Sequence, residues 1–343
     1  MKKYNVAVIG ATGVVGTQML KVLYDRKFPV AEVRPLASKR SIGKIIKFGK
    51  KKLKVQLLTE DSFYGIDIVL SSAGASISKQ FLPFAVRSGA VCIDNTSAYR
   101  MDPKVPLVVP EANPNAAFKH KGIIANPNCS TIQMIVALKP LHDYAQIKRI
   151  VVSTYQSTSG AGNPAISQLE DEVKLRGGKR NATLPKSYKP KKFPYQIAFN
   201  LIPHIDVFLK NAYTKEEMKM VNETRKIFND YRIGVTATCV RVPVFVSHSE
   251  AVNIETRRPL SAKKATALLK KAKGVKVIDN LSKLKYPMPV DATGKYDTFV
   301  GRIRKDESIK NGLNLWVVSD NLLKGAALNA VQIAELLIRK CVT

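Results

Sequence analysis

From the N-terminus, short apolar runs alternate with stretches whose apolar positions recur at helical spacing. Residues 5–9 are nearly all apolar, 14–25 carry a helical pattern and 33–37 are apolar again, the order of a βαβ unit. Runs 66–71 and 91–95 read as strands buried on both faces, separated by a helix at 76–88 that stops at Gly89. The expectation is an α/β domain on a doubly wound parallel sheet. After residue 129 the pattern shifts to a helix at 130–144, a strand at 148–155 and a helix at 166–175 closed by Gly177 and Gly178. Later runs at 235–242, 250–257 and 313–319 alternate as a sheet with one buried face does, so a second, α+β domain is expected. The last helix, 322–340, repeats Leu323, Ala326, Ala327, Ala330, Ile333, Ala334 and Leu337 on one face and needs a surface to dock on.

Composition narrows the class without naming a function. The 343 residues are 45% hydrophobic and 24% charged, values of a folded chain with room for two domains. The N-terminus enters its first strand after Lys2 and Lys3, which leaves no space for a secretory leader, so a cytoplasmic protein with no membrane partner is expected. Cys92, Cys129, Cys239 and Cys341 lack the spacing of metal or disulfide sites, and no metal is expected. The net charge of +30 invites a nucleic-acid reading. However, the lysines are dispersed, with dense runs only at 50–54 and 186–192, and no aromatic-interleaved binding motif accompanies them, so a solvated basic surface is expected instead.

Three segments carry candidate chemistry. Gly10, Ala11, Thr12, Gly13, Val14, Val15 and Gly16 follow the first strand and open the first helix, where glycines let backbone N–H groups approach a pyrophosphate. The second strand is followed by Ser38, Lys39, Arg40 and Ser41, with no carboxylate for a ribose hydroxyl. Ser38 and Arg40 suit a 2′-phosphate, favouring NADP over NAD, the other reading being one more basic loop. In the segment 125–131, Pro127 breaks a strand and Cys129 enters the first turn of an apolar helix, where a thiolate is favoured. A lone cysteine is otherwise a small core residue, as expected of Cys92 and Cys239. The polar stretches 155–162 and 241–250 look like loops at strand ends, and His248 in the second is the candidate general base. His120, His142 and His204 read as ordinary packed or surface histidines. Glu216 and Lys219, three residues apart, read by themselves as a surface helix pair.

With these residues in view, the chain resembles aspartate-semialdehyde dehydrogenase over essentially its whole length. The matching stretches are GATGVVG at Gly10, DNTSAYRM at Asp94, ANPNCST at Ala125, YQSTSGAG at Tyr155, FNLIPHID at Phe199, EEMKM at Glu216, CVRVPV at Cys239, SHSE at Ser247 and LKGAALNAVQIAE at Leu323. The resemblance implies a Rossmann-like nucleotide domain of residues 1–128 with 322–343, the last helix returning to it, and a catalytic and dimerisation domain of 129–321. It implies interconversion of L-aspartyl 4-phosphate and L-aspartate 4-semialdehyde through a cysteine thioester, a step toward lysine, diaminopimelate, threonine and methionine. Cys129 becomes the nucleophile and His248 the base, while Gln156 orients the acyl group, Arg241 meets the substrate carboxylate and Glu216 its ammonium. Arg100, Asn128 and Lys219 become the phosphate pocket. Gly10, Thr12, Gly13, Val14 and Val15 face the NADP pyrophosphate, Ser38 and Arg40 its 2′-phosphate, and Gly160 and Asn329 its nicotinamide side. A homodimer or homotetramer is implied, with inorganic phosphate as co-substrate. One rival is N-acetyl-gamma-glutamyl-phosphate reductase, whose acetylated substrate has no ammonium for Glu216; the other is nucleic-acid binding through the basic surface.

Overall fold

The computed structural model describes residues 2–177, 184–185 and 187–340. Gly178, Lys186 and Cys341, named above, lie outside the described residues. The chain divides into two compact units, Met1–Val136 with Asn222–Tyr231 and Leu322–Thr343, and Ala137–Val221 with Arg232–Asn321. The sequence reading put the first boundary after residue 128 and did not foresee that 222–231 belongs to the first unit.

In the first unit, β1 (Tyr4–Ile9), α1 (Val14–Asp25) and β2 (Val30–Ala37) form the initial βαβ turn. The hairpin β3 (Ile45–Phe48) and β4 (Lys51–Lys54) and the short β5 (Gln56–Leu57) follow. Then come β6 (Ile68–Ser71), α2 (Ala75–Arg87), β7 (Val91–Asp94) and β8 (Ile123–Ala125). The strand order is β5-β2-β1-β6-β7-β8 with every pairing parallel. The chain adds β2 on one side of β1 and then crosses to β6 on the other, so the order reverses at β1. Ligands of such sheets sit beyond the carboxyl ends of the strands at that reversal. All of β6 is buried, which explains its uninterrupted apolar sequence.

From β8 the chain enters α3 (Cys129–Ala145), within which the first unit gives way to the second. The second unit's strands and helices are β9 (Ile147–Gln156), α4 (Asn163–Arg176), α5 (Lys215–Phe228), β10 (Gly234–Arg241), β11 (His248–Thr256), α6 (Ala262–Lys271), β12 (Val275–Val277), α7 (Pro289–Ala292), β13 (Thr298–Asp306) and β14 (Gly312–Ser319), with α5 passing into the first unit after Val221. α4 ends at Gly177 in the left-handed region, φ 56°. The mixed sheet runs β10-β9-β11-β14-β13-β12. β9 and β10 are parallel, pairing Gln156 with Arg241, whereas β11 is antiparallel to both β9 and β14, pairing Ser249 with Tyr155 and His248 with Ser319. That register brings the ends of β9 and β10 and the start of β11 to one edge.

Two expectations are corrected. The polar stretch around His248 was read as a loop, yet Ser247 to Glu250 are buried and His248 opens a central strand, because β9 and β14 flank it on both sides. The C-terminal helix is not α-helical from its start: Leu323–Ala327 form a π-helical turn before α8 (Leu328–Lys340).

Candidate functional site

The glycine turn after β1 is built by close approach. Gly10 has φ +79° and accepts the Gly13 N–H at 2.9 Å. A Cβ at Gly16 would lie 2.1 Å from the Gly10 carbonyl oxygen, so only glycine lets α1 begin this close to β1. Val14 and Val15 form the first turn of α1, which holds no acidic residue, so the helix N-terminus is open to an anion. The Thr12 hydroxyl donates to the Ser41 Oγ at 3.3 Å, joining this turn to the loop after β2. There Ser38, Lys39 and Arg40 are exposed cations and hydroxyl without a carboxylate. A cradle that a Cβ would fill, beside a basic loop, fits a phosphorylated dinucleotide.

The second constellation of the first unit surrounds Cys129, the first residue of α3 and half-buried. Asn128 precedes it as the cap, its Oδ1 accepting the N–H groups of Ser130 at 3.0 Å and Thr131 at 3.3 Å. Cys92 and Cys239 are buried, and burial pushes their thiols up, away from the reactive anion. Arg100 is buried and donates from Nε to the Asn126 carbonyl (2.9 Å), from Nη2 to that of Asn95 (2.8 Å) and from Nη1 to Glu223 (3.1 Å). The other Glu223 oxygen accepts the Asn128 N–H at 2.7 Å. From the π-helical turn, Gly325 approaches so closely that a Cβ there would stand 2.8 Å from the Cys129 Cβ.

A buried polar chain runs from Glu111 through Lys324 and Asn329 to Asn126. Lys324 is fully buried and donates to Glu111 (2.6 Å), Gln332 (2.7 Å) and the Asn329 Oδ1 (3.1 Å). Burial alone would raise the Glu111 carboxyl, but the Lys324 charge and the hydrogen bonds from Lys324 and Gln332 hold it below its usual range. Asn329, also fully buried, donates to the Val108 carbonyl (3.0 Å) and to the Asn126 Oδ1 (2.6 Å). Its amide therefore braces the loop before Cys129.

In the second unit, the edge defined by β9, β10 and β11 gathers Gln156, Arg241 and His248. The His248 Nδ1 lies 3.0 Å from both the backbone nitrogen and the hydroxyl oxygen of Ser157, two contacts that orient the ring. Burial, reinforced by the nearby Arg241 and opposed by Glu216, lowers its pKa to about 3, so the ring is neutral at ordinary pH. A Cβ on Gly160 would come within 3.1 Å of both His248 Nε2 and Arg241 Nη1. Arg241 donates from Nη1 to the Ser157 carbonyl at 2.7 Å. Glu216 accepts from Gln156 Nε2 (3.2 Å) and Lys219 Nζ (2.9 Å), and Lys219 also donates to Asp206 (2.8 Å). Burial would lower the Lys219 ammonium, but Glu216 and Asp206 override it and raise its pKa.

Two family models match in tandem. Residues 5–120 match the semialdehyde dehydrogenase NAD binding domain, and 138–324 match the semialdehyde dehydrogenase dimerisation domain. The aspartate-semialdehyde dehydrogenase of Aquifex aeolicus is 57% identical over 98% of each chain, and that of Legionella pneumophila 53% over 98% of this chain and 96% of its own. The chain belongs to the aspartate-semialdehyde dehydrogenase family. Among solved structures of that family, aspartate semialdehyde dehydrogenase II from Vibrio cholerae complexed with ASA is 50% identical, covers 99% of each chain and superposes with a TM-score of 0.93. A probable aspartate-semialdehyde dehydrogenase from Pseudomonas aeruginosa, 29% identical over 98% of this chain and 99% of that one, gives 0.88.

Each unit thus carries its own share of the residues expected from the aspartate-semialdehyde dehydrogenase resemblance: Arg100, Asn128, Cys129 and the glycine turn in the first, Gln156, Gly160, Glu216, Lys219, Arg241 and His248 in the second. The Glu216–Lys219 pair is not a surface pair, since Glu216 is buried against Gln156. His120, His142 and His204 have local roles: the first two accept nearby backbone N–H groups and His204 stacks on Phe208. Sequence reasoning missed Glu223, Lys324, Gly325 and Asn321. The Asn321 Oδ1 accepts from Ser247 N (2.9 Å) and from the Ser157 and Ser159 hydroxyls (both 3.2 Å), tying together the chain on both sides of His248. Ser247 is held there at φ 77°, a strained conformation for a residue with a Cβ. The available signal was polar identity at core spacing: Glu216, Met220, Glu223, Thr224 and Ile227 recur as a buried helix face, with two carboxylates among them.

Proposed function

We propose that this chain interconverts L-aspartyl 4-phosphate and L-aspartate 4-semialdehyde with NADP and inorganic phosphate. The observation that carries the reading is Cys129 at the capped start of α3, the described cysteine set apart from two buried thiols. Support also comes from the Vibrio cholerae relative, whose structure is complexed with ASA.

In the oxidative direction the Cys129 sulfur adds to the aldehyde carbon while its thiol proton passes to the neutral imidazole of His248, giving a hemithioacetal alkoxide. NADP supplies the hydride acceptor. With the hydride gone the carbon is a thioester on Cys129, and phosphate attacks it, releasing the acyl phosphate and restoring the thiolate. Arg241 pairs with the substrate α-carboxylate, Glu216 with its ammonium, and Gln156 orients the acyl oxygen. Arg100, Asn128 and Lys219 receive the phosphate. Gly10, Thr12, Gly13, Val14 and Val15 hold the NADP pyrophosphate, Ser38 and Arg40 the 2′-phosphate. Gly160 keeps space beside the nicotinamide, and Asn329 supports that side through Asn126. The protein works in the cytoplasm as a homodimer or a homotetramer built from dimers, in the branch toward lysine, diaminopimelate, threonine and methionine.

The test is NADPH formation with L-aspartate 4-semialdehyde, with and without phosphate, beside the same assay with N-acetyl-glutamate semialdehyde. Phosphate-dependent turnover of the first substrate is expected; preference for the acetylated one, or turnover indifferent to phosphate, would overturn the reading.

A further inference from the structure

Glu223 is a buried carboxylate for which the roles above leave no task. It lies on α5 with its side chain 1% exposed, and its two oxygens serve different partners: Arg100 Nη1 at 3.1 Å and the Asn128 N–H at 2.7 Å. Arg100 is the proposed phosphate ligand, and Asn128 is the cap from which the nucleophile's helix begins. One rigid group therefore holds the cation that meets the phosphate and the backbone that presents the sulfur. A carboxylate suits this place because it is acceptor-only, so both partners, each a donor, are satisfied at once. The Asn126 and Asn95 carbonyls already hold Nε and Nη2 of Arg100, so the Glu223 bond completes the fixing of the guanidinium plane. Among the described residues Arg100 still has one N–H on each terminal nitrogen to offer an incoming dianion.

We infer that Glu223 is a positioning residue that sets the phosphate-binding arginine and the Cys129 helix start in fixed relation, and so governs attack of phosphate on the thioester. The reaction demands such a device, because the atom bonded to sulfur in one step is attacked by a phosphate oxygen in the next, and a misplacement of about 1 Å costs on the order of a hundredfold in rate. Glu223 also partly neutralises Arg100, which tempers its grip on a product that has to leave. The inference rests on the reading of Arg100 as a phosphate ligand.

The experiment compares Glu223→Gln, Glu223→Asp and Arg100→Gln for the KM of phosphate, the KM of L-aspartate 4-semialdehyde and the rate of Cys129 alkylation by iodoacetamide. Glutamine has one acceptor in place of two, and aspartate keeps the charge but is too short to span both partners. Both Glu223 variants are expected to raise the phosphate KM at least about tenfold and to slow alkylation, with the aldehyde KM changed less than about twofold. Glu223→Asp retains the charge that balances buried Arg100, so it keeps the test available if Glu223→Gln does not fold. If Arg100→Gln raises the phosphate KM while the folded Glu223 variants keep the parent's phosphate KM and alkylation rate, Glu223 is only a structural partner and the inference fails. If Arg100→Gln leaves the phosphate KM unchanged, it is the assignment of Arg100 that fails, and the coupling goes with it.

Discussion

Cys129 and His248 sit in different local environments. The cysteine stands at a helix start behind a side-chain cap; the histidine has burial and an arginine neighbour, which disfavour the cation. This effect has a sign that can be measured. Above an unfolded pKa of about 6.5 the ring is neutral in both states and contributes no pH dependence. As pH falls from there toward about 3, the unfolded chain takes up a proton that the folded chain refuses, and stability is lost. The slope from this one group is at most about 1.4 kcal/mol per pH unit. Denaturant melts across that window should therefore be shallower in pH for His248→Asn than for the parent, and an unchanged slope would mean that the ring titrates normally. A second residue-scale expectation concerns Gly160. A Cβ there would press on both His248 Nε2 and Arg241 Nη1, so Gly160→Ala should lower kcat/KM by about tenfold or more while the melting midpoint moves little. Activity equal to the parent would show that this edge of the ring is not used.

At the scale of elements, the π-helical turn Leu323–Ala327 and the buried Lys324 form one feature. The lysine is committed to Glu111, Gln332 and Asn329, and the turn brings Gly325 against Cys129. Lys324→Met removes the cation and leaves Glu111 buried without it, which should destabilise the protein by about 3–5 kcal/mol in denaturant titration. Adding Glu111→Leu should recover most of that loss; if the double variant is as unstable as the single one, the pair is not what sustains the turn. This feature shows where sequence reading stops. A period of 3.6 residues located the C-terminal helix, but a one-turn change of period within an apolar run leaves no trace in hydropathy. β1, β6 and β7 were legible because burial makes them largely apolar, as in β6. The hairpin β3–β4 was not, since its lysines masked the strand pattern. Around His248 a polar strand was mistaken for a loop, because a buried polar strand and a polar loop have the same composition. Cys129 and the glycine turn were legible from local order alone. Arg241, Glu216 and Lys219 were assigned only through the family resemblance, and Glu223, whose partners lie about a hundred residues away in sequence, was not assigned at all.

For the whole molecule, the match of 138–324 to a dimerisation domain agrees with the surface of the second unit. Tyr195, Phe199, Leu201 and Phe208 are each more than half exposed, a density of large apolar side chains that a monomer seldom leaves in water. Sedimentation at micromolar concentration should report a dimer or a multiple of it, and a monomer persisting at high concentration would contradict this. The charge of +30 is carried by side chains dispersed along the chain. Among the described residues no helix is long and apolar enough to cross a membrane, and no cluster of side chains could hold a metal.

In the proposed mechanism Cys129 carries the acyl group between hydride transfer and phosphate attack. The most direct measurement is rapid mixing of the protein with NADP and L-aspartate 4-semialdehyde in the absence of phosphate, followed by intact-mass analysis. The expected result is one burst of NADPH per active site and an aspartyl adduct on Cys129 that phosphate discharges, both lost in Cys129→Ser. Steady NADPH formation without phosphate and without an adduct, or a burst that survives in Cys129→Ser, would contradict it.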